Sequence, residues 1–116
     1  VEGCVPYQNG AKVRALGVLE QTLSRFGAVS RETAVEMAAG LSKRSGADLC
    51  LAVTGIAGPD GGTAEKPVGL VWLALSTSRG VEARKLQLSG DRQRIRTLSA
   101  LNALHWILTE ARRQGA

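Results

Sequence analysis

The sequence predicts an α/β protein: a three-layer α/β/α sandwich with a mixed sheet, folded as a single domain over residues 1–116. Three observations predict this class. Two apolar runs, Leu49–Val53 and Val68–Ser76, are too short for helices and are typical of buried strands. The segments around them carry apolar residues at helical spacing. A length of 116 residues with 44% hydrophobic content is enough to bury one core.

The first part of the chain predicts one short strand and two short helices. The strand is expected over Val1–Pro6 and leads into a loop that begins at Tyr7. Asn9 can cap the helix that follows, because its side chain can accept a backbone hydrogen bond. The two helices are expected over Ala11–Leu16 and Leu19–Phe26, ended by Gly17 and Gly27.

The next helix is predicted between Ser30 and Gly46. Ser30 is an N-cap residue, Glu32 suits the first turn, and Gly46 ends the helix. Its apolar face repeats at i, i+3, i+4 and i+7 and consists of Ala34, Met37, Ala38 and Leu41.

The second half of the chain predicts a central strand, a hairpin and a long helix. Leu49–Val53 is the central strand, and Val81–Leu88 returns antiparallel to Val68–Ser76 after a turn at Ser78-Arg79-Gly80. Asp91 is expected to cap the last helix. The buried stripe of this helix is predicted to comprise Ile95, Leu98, Leu101, Leu104, Leu108 and Ala111.

Composition excludes several function classes. The formal net charge is +5, but the basic residues are scattered and the chain has only four aromatic residues, which disfavours a nucleic-acid partner. No apolar run is long enough to span a membrane and no signal peptide is visible, so the cytoplasm is expected. Cys4 and Cys50 are expected to be reduced and buried, and His105 partly buried; no metal site is predicted.

The stretch Val53–Leu75 is the most informative part of the chain. It reads V-T-G-I-A-G-P-D-G-G-T-A-E-K-P-V-G-L-V-W-L-A-L and connects two apolar runs through a glycine-rich loop. Glycines let backbone N–H groups approach an anionic or planar ligand closely. The loop follows the end of a buried strand, where ligands commonly bind in α/β sheets. A tight structural connection is the alternative interpretation.

Four blocks of the sequence together resemble one family. They are G-C-V-P-Y-Q-N-G-A-K-V-R-A-L-G-V, F-G-A-V-S, G-A-D-L-C-L-A-V-T-G-I-A-G-P and S-G-D-R-Q-R-I-R, in that order. The residues of these blocks and their order resemble the C-terminal domain of the competence/damage-inducible protein CinA. Stand-alone members of that family are nicotinamide mononucleotide amidohydrolases, which need no metal or other cofactor. The resemblance implies the α/β/α fold and a small nucleotide substrate.

The resemblance also implies a set of site residues. The family's catalytic group is Ser–Tyr–Lys, and its Tyr and Lys match Tyr7 and Lys12. On spacing alone, a packed tyrosine and a solvated lysine are the ordinary interpretation. A phenol and an amine held together can also activate a hydroxyl nucleophile. Thr54, Gly55 and Ala57 are implied to line the nucleotide pocket. Arg92 matches the family's G-D-R motif and is expected to contact phosphate, with Arg96 as the second candidate.

One family feature is not in these 116 residues. The segment A-E-S-C-T-G-G, which carries the family's serine nucleophile, does not occur in the sequence. The domain is therefore expected to lack the family's first strand–helix unit. An inactive nucleotide-binding or structural module is the alternative function. Such a domain should also expose a sheet edge and form homo-oligomers.

Overall fold

The computed structural model describes residues 2–4 and 17–115, which form four strands and three helices. Tyr7, Lys12 and the predicted helix over 11–16 lie outside these described residues. The elements in chain order are β1 (Glu2–Cys4), α1 (Glu20–Phe26), α2 (Arg31–Ser45), β2 (Cys50–Gly55), β3 (Leu70–Thr77), β4 (Gly80–Gln87) and α3 (Arg92–Gly115).

The sheet is mixed, as predicted. Its strand order is β1-β2-β3-β4, with β1 parallel to β2 and the other two pairs antiparallel. The hairpin turn is where the sequence predicts it, because Thr77 pairs with Gly80 and leaves only Ser78 and Arg79 between the strands. Within the described part of the chain, β1 and β4 are the two edge strands.

Helices cover both faces of the sheet, and this confirms the three-layer sandwich. The α2 face is packed with small side chains: Ala34 and Ala38 of the helix contact the same cluster as Ala52 and Ala74 of the strands. Met37 fills the space between the helix and the sheet and is fully buried. Small residues let the helix approach the sheet closely, so this face is a dense structural core.

The α3 face is packed with larger side chains. Leu73 and Leu75 of β3 lie in one cluster with Ile95 and Trp106 of the helix. Because side chains alternate along a strand, odd-numbered residues of β2 and β3 point to α3 and even-numbered ones to α2. The guanidinium of Arg84 lies 4.1 Å from the centre of the Trp106 ring, a cation–π contact that ties β4 to α3.

The helix caps predicted at Ser30 and Asp91 are present, and the predicted Asn9 cap lies outside the described residues. The Ser30 hydroxyl accepts a hydrogen bond from the Thr33 N–H at 3.1 Å, and Gly46 ends α2 in the left-handed conformation. Asp91 caps α3, since its Oδ1 accepts from the Arg94 N–H at 2.8 Å. Asx and Ser caps are recognisable in sequence because the cap bond is local.

The predicted buried stripe of α3 is wrong in most of its members. Only Ile95 is buried as expected, whereas three predicted core leucines are more than half exposed: Leu101 at 55%, Leu104 at 52% and Leu108 at 52%. The helix carries two apolar stripes, and the one with Trp106 faces the sheet. The buried side consists of Ile95, Ser99, Ala103, Trp106, Ile107 and Glu110.

The buried Glu110 carboxylate is neutralised by two arginines. It accepts a hydrogen bond from Arg79 Nη2 at 2.7 Å, and Arg113 Nη1 lies 3.6 Å from its other oxygen. Arg79 belongs to the hairpin turn, so this ion pair ties the turn to the carboxyl-terminal half of α3. A buried carboxylate is tolerated only with such partners.

Candidate functional site

A cleft of about 650 Å³ opens at the carboxyl end of β2, on the α3 face of the sheet. Val53, Val71 and Ile95 form an apolar floor. The rim combines the start of the glycine loop with the first turns of α3. The rim residues are Gly55, Ala57, Arg92, Gln93, Arg96, Thr97, Ser99 and Ala100. A concave site with an apolar floor and a few polar groups at its edge is the usual form of a small-molecule site.

Glycine is required at positions 55 and 58, the two ends of the segment that leaves β2. A Cβ on Gly55 would lie 2.8 Å from Val71 Cγ2 and 3.1 Å from the Leu70 carbonyl oxygen. Gly58 has a φ of +79°, and a Cβ there would lie 2.6 Å from Val68 Cγ1. The sequence therefore needs both glycines to lead the chain from β2 past β3 and along the cleft.

The base of the glycine loop is closed by backbone hydrogen bonds. Ile56 donates to the Leu70 carbonyl at 2.9 Å, and Gly69 donates to the Ile56 carbonyl at 2.7 Å. Within the loop, Thr63 donates to the Lys66 carbonyl at 2.8 Å. The glycine loop, which connects β2 to β3, therefore has a fixed base. This base sets the position of Gly55 and Ala57 at the cleft.

Arg92 joins the glycine loop to α3. Its Nη1 donates to the Gly58 carbonyl at 3.1 Å, and the residue as a whole is exposed at the cleft rim. A guanidinium is planar and permanently charged, and its fork of N–H donors suits a planar or anionic group. Arg96 lines the cleft one helical turn further on.

The amino end of α3 lies beside the cleft and is capped by Asp91. Asp91 already accepts the Arg94 N–H, and its own carbonyl accepts from Ile95 at 3.0 Å. Its carboxylate also places a negative charge next to the helix dipole. Two backbone N–H groups at this end are thus engaged by Asp91, and the arginine side chains add positive charge at the same edge.

The structure brings three of the four described site residues together and separates the fourth. Gly55, Ala57 and Arg92 border the cleft. Thr54 points to the opposite, α2, face, is only 2% exposed, and donates its hydroxyl to the Ala28 carbonyl at 2.8 Å. Strand alternation explains this, because neighbours on β2 must face opposite sides. A substrate contact by Thr54 stays a prediction.

Tyr7 and Lys12 lie outside the described residues, and their catalytic roles stay predictions. The structure does show where β1 ends. Cys4 pairs with Ala52 in a parallel ladder, so the carboxyl ends of β1 and β2 lie at the same edge of the sheet as Gly55. Ligands bind at this edge in open α/β sheets.

Sequence reasoning missed how the segment between α1 and α2 is held. Lys66 of the glycine loop donates its Nζ to the Phe26 carbonyl. Thr33 donates its hydroxyl to the Gly27 carbonyl at 2.6 Å, and Thr54 holds Ala28. The sequence signal for these contacts is F-G-A-V-S, residues 26–30. A glycine followed by an N-cap serine leaves backbone carbonyls that other side chains must pair with.

A second, more open cleft of about 680 Å³ lies on the α2 side of the same edge. Lys66, Trp72 and Lys85 line it together with the amino end of α2. The glycine loop therefore separates two clefts, and its Arg92 and Lys66 contacts lie on opposite sides.

Two further sequence predictions concern single side chains. Cys50 is buried as expected, whereas His105 is exposed rather than partly buried. Within residues 2–4 and 17–115, no three His, Cys, Asp or Glu side chains are grouped so that they could hold a metal ion. No helix in the same ranges is long and apolar enough to cross a membrane.

Fold and cleft together define an α/β domain with a candidate small-molecule cleft, and comparison with known proteins identifies the family. The model of the CinA C-terminal domain matches residues 1–111, so the chain belongs to that family. It is 55% identical over 107 residues to a CinA-like protein of Kosmotoga olearia, covering 92% of this chain and 26% of that protein. It is 57% identical over 105 residues to a putative competence-damage inducible protein of Acetivibrio thermocellus, covering 90% and 25%.

Solved structures agree. The competence/damage inducible protein CihA from Agrobacterium tumefaciens superposes with a TM-score of 0.84 at 47% identity, covering 90% of this chain and 64% of that chain. A CinA superfamily protein from Escherichia coli gives 0.81 at 36% identity, covering 87% and 59%. The chain thus spans about a quarter of these curated relatives and somewhat under two thirds of these solved chains.

Proposed function

We propose that this chain is the nucleotide-binding part of an amidohydrolase that converts nicotinamide mononucleotide and water to nicotinate mononucleotide and ammonia. The observation that carries the proposal is the convergence of Gly55, Ala57 and Arg92 on one cleft in a CinA C-terminal domain. These residues come from two segments that are far apart in sequence. The domain acts in the cytoplasm on a small nucleotide and needs no metal.

The chemistry of the cleft suits a mononucleotide. Val53, Val71 and Ile95 offer an apolar surface for a pyridine ring. Arg92 and Arg96 offer positive charge for a phosphate at the rim. A volume of about 650 Å³ falls within the ~300–1,000 Å³ typical of ligand pockets. Cations at one end of the cleft favour the nucleotide over its nucleoside, which lacks the phosphate.

In the proposed reaction, a serine hydroxyl from the A-E-S-C-T-G-G segment of the family attacks the carboxamide carbon. The hydroxyl proton passes to the Tyr7–Lys12 pair and then to the leaving nitrogen, which departs as ammonia and leaves an acyl-serine ester. Water then attacks the ester, giving the carboxylate and restoring the serine. Each bond formed and broken is balanced by the water consumed and the ammonia released.

One observation favours the alternative of a non-catalytic nucleotide-binding module. Among the described residues that line the cleft, the hydroxyl-bearing side chains are Thr97 and Ser99. Ser99 is 8% exposed and donates to the Ile95 carbonyl at 2.7 Å, so its proton is engaged with its own helix. The described cleft therefore offers binding groups without an activated nucleophile.

Ammonia release tests the proposal. The 116-residue chain should not release ammonia from nicotinamide mononucleotide above a buffer blank, because loss of a nucleophile typically lowers kcat by several orders of magnitude. A version extended upstream with the nucleophile segment should turn over. In that version, Lys12→Ala and Tyr7→Phe should each lower kcat strongly with the circular-dichroism spectrum unchanged. An inactive extended version that still binds the nucleotide would favour the module.

A further inference from the structure

Lys66 links the glycine loop to the carboxyl end of α1. Its Nζ donates to the carbonyl of Phe26, the last residue of that helix, and the lysine is half-buried there. A helix end leaves its last carbonyls without partners inside the helix, and a positive charge suits the negative end of the helix dipole. Room for the ammonium depends on Gly27, because a Cβ at that position would lie 2.9 Å from the Lys66 Nζ.

The segment that receives Lys66 is itself fixed. The Gly27 carbonyl accepts from the Thr33 hydroxyl at 2.6 Å, and the Ala28 carbonyl accepts from the Thr54 hydroxyl at 2.8 Å. Thr33 belongs to α2 and Thr54 to β2, and both are buried. Three successive backbone carbonyls, 26–28, are therefore held by side chains of three different elements. Buried hydrogen bonds of this kind make the segment a rigid anchor for the loop.

The returning half of the loop carries this contact to the cleft. The backbone of Lys66 is fixed to Thr63, whose N–H donates to its carbonyl at 2.8 Å and whose hydroxyl accepts its N–H at 3.0 Å. Two residues further on, Val68 occupies the space beside Gly58. Val68 and Ala57 pack against the same apolar cluster, and Ala57 borders the cleft. A displacement of Lys66 is therefore transmitted to Ala57 through closely packed atoms.

We propose that Lys66 is a positioning residue for ligand binding, which rests on the proposed nucleotide site and deepens it. Its contact with Phe26 holds the glycine loop so that Gly55 and Ala57 lie at the wall of the cleft. Lys66 lies on the α2 side of the loop, away from the residues that line this cleft. It acts through the backbone of the loop and not by touching the ligand.

Two other roles for Lys66 predict different results. A role in stability alone would lower the free energy of unfolding and leave the affinity of the folded chain unchanged. Attraction of the phosphate by the lysine charge would make its loss weaken nicotinamide mononucleotide and spare nicotinamide riboside, which lacks the phosphate. A positioning role weakens both ligands by the same factor, because the displaced loop borders the cleft for both.

Calorimetry with the two ligands tests the proposal. Lys66→Met keeps the length of the side chain and removes the donor, so it should weaken both ligands by about three- to tenfold, less than the full contribution of one charged hydrogen bond. Lys66→Arg keeps a charged donor and should recover most of the affinity. Lys85→Met is the matched control, since Lys85 lines the same α2-side cleft from β4, and it should change neither affinity.

Amide NMR spectra of the ligand-free chain provide a readout that needs no ligand. The signals of Ala57 and Gly58 should shift in Lys66→Met and stay in place in Lys85→Met. Unmoved signals in Lys66→Met, or an affinity equal to that of the wild type, would overturn the inference. So would a loss confined to the nucleotide or an equal loss in Lys85→Met, either of which would assign Lys66 to electrostatic attraction.

The two readouts also separate this inference from the proposed function. A wild-type chain that binds neither ligand would overturn the nucleotide site, and the NMR shifts would then decide alone whether Lys66 positions the loop. Urea unfolding of each variant shows that affinities are compared on fully folded protein.

Discussion

The two faces of the sheet are built differently. The α2 face is closed with alanines and one methionine, and Ala34, Ala38, Ala52, Ala74 and Met37 are all fully buried. The α3 face uses leucines, valines and Trp106, and it stays open near the end of β2, where the cleft lies. Small residues bring a helix close to the sheet, whereas large ones leave gaps that a ligand can enter. In this domain, the alanine-rich core and the candidate cleft between β2 and α3 lie on opposite faces of the sheet.

The largest effect is expected from a cavity on the α3 face. Leu73 is 1% exposed and belongs to the cluster with Ile95 and Trp106. Leu73→Ala should lower the free energy of unfolding by about 2–5 kcal/mol, because the large neighbours cannot close the space. Urea unfolding followed by circular dichroism measures the loss. A change below about 1 kcal/mol would mean that this face repacks easily.

A smaller effect on binding is expected from Arg92. Arg92→Ala should weaken binding of nicotinamide mononucleotide by about 1.5–3 kcal/mol, the range for a charge-assisted hydrogen bond. It should weaken binding of nicotinamide riboside, which lacks the phosphate, much less. Calorimetry with both ligands measures the difference.

Arg112→Ala is the matched control for this prediction, since Arg112 is exposed at the far end of the same helix. It should change neither affinity. Equal losses for nucleotide and nucleoside on Arg92→Ala would assign Arg92 to holding Gly58 rather than to the phosphate.

Overpacking tests the α2 face. Ala74 is fully buried beneath α2, so Ala74→Leu should cost about 1–3 kcal/mol of stability by forcing the helix away from the sheet. The same substitution at Ala100, which lines the cleft rim and is exposed, should cost almost nothing. If thermal unfolding shows both variants equally stable, the contrast between a dense face and an open one is wrong.

The smallest effect is expected at the helix caps, one for each face. Ser30→Ala and Asp91→Ala each remove a side-chain acceptor for a backbone N–H and should cost about 0.5–2 kcal/mol. Ser30 also donates to the Gly27 carbonyl at 2.9 Å, so its loss should be the larger of the two. The urea unfolding midpoints of the two variants, compared where their unfolding slopes are equal, show which variant loses more stability. A larger loss for Asp91→Ala would contradict the prediction.

Most of the fold could be predicted from local signals in the sequence. Caps such as Ser30 and Asp91, the terminator Gly46 and the two-residue turn at Ser78-Arg79 each depend on neighbours in sequence, and all were predicted correctly. The strand limits differ by one or two residues, since strand ends are set by pairing; β2 continues to Gly55 because that residue pairs with Val71.

Sequence patterns did not decide which of two faces of a helix or sheet a side chain lies on. Helix α3 has two apolar stripes, and periodicity alone does not say which one meets the sheet; the larger Trp106 side does, and the leucines stay outside. Thr54 and Gly55 are adjacent and were assigned to one pocket; strand alternation puts the Thr54 hydroxyl on the α2 side, and its substrate contact stays a prediction. The contacts of Lys66 with Phe26 and of Arg92 with Gly58 join distant segments that sequence spacing does not connect.

The closed base of the glycine loop has a consequence for motion. Because Ile56 and Gly69 are hydrogen-bonded to each other and Ile56 also to Leu70, the ladder between β2 and β3 does not depend on the residues beyond this base. The segment 57–68 can therefore open as a local unit while the sheet stays folded. The rate at which its amides exchange with deuterium should be set by the Arg92 and Lys66 contacts and not by global unfolding. The amides of β3 should exchange only when the whole domain unfolds.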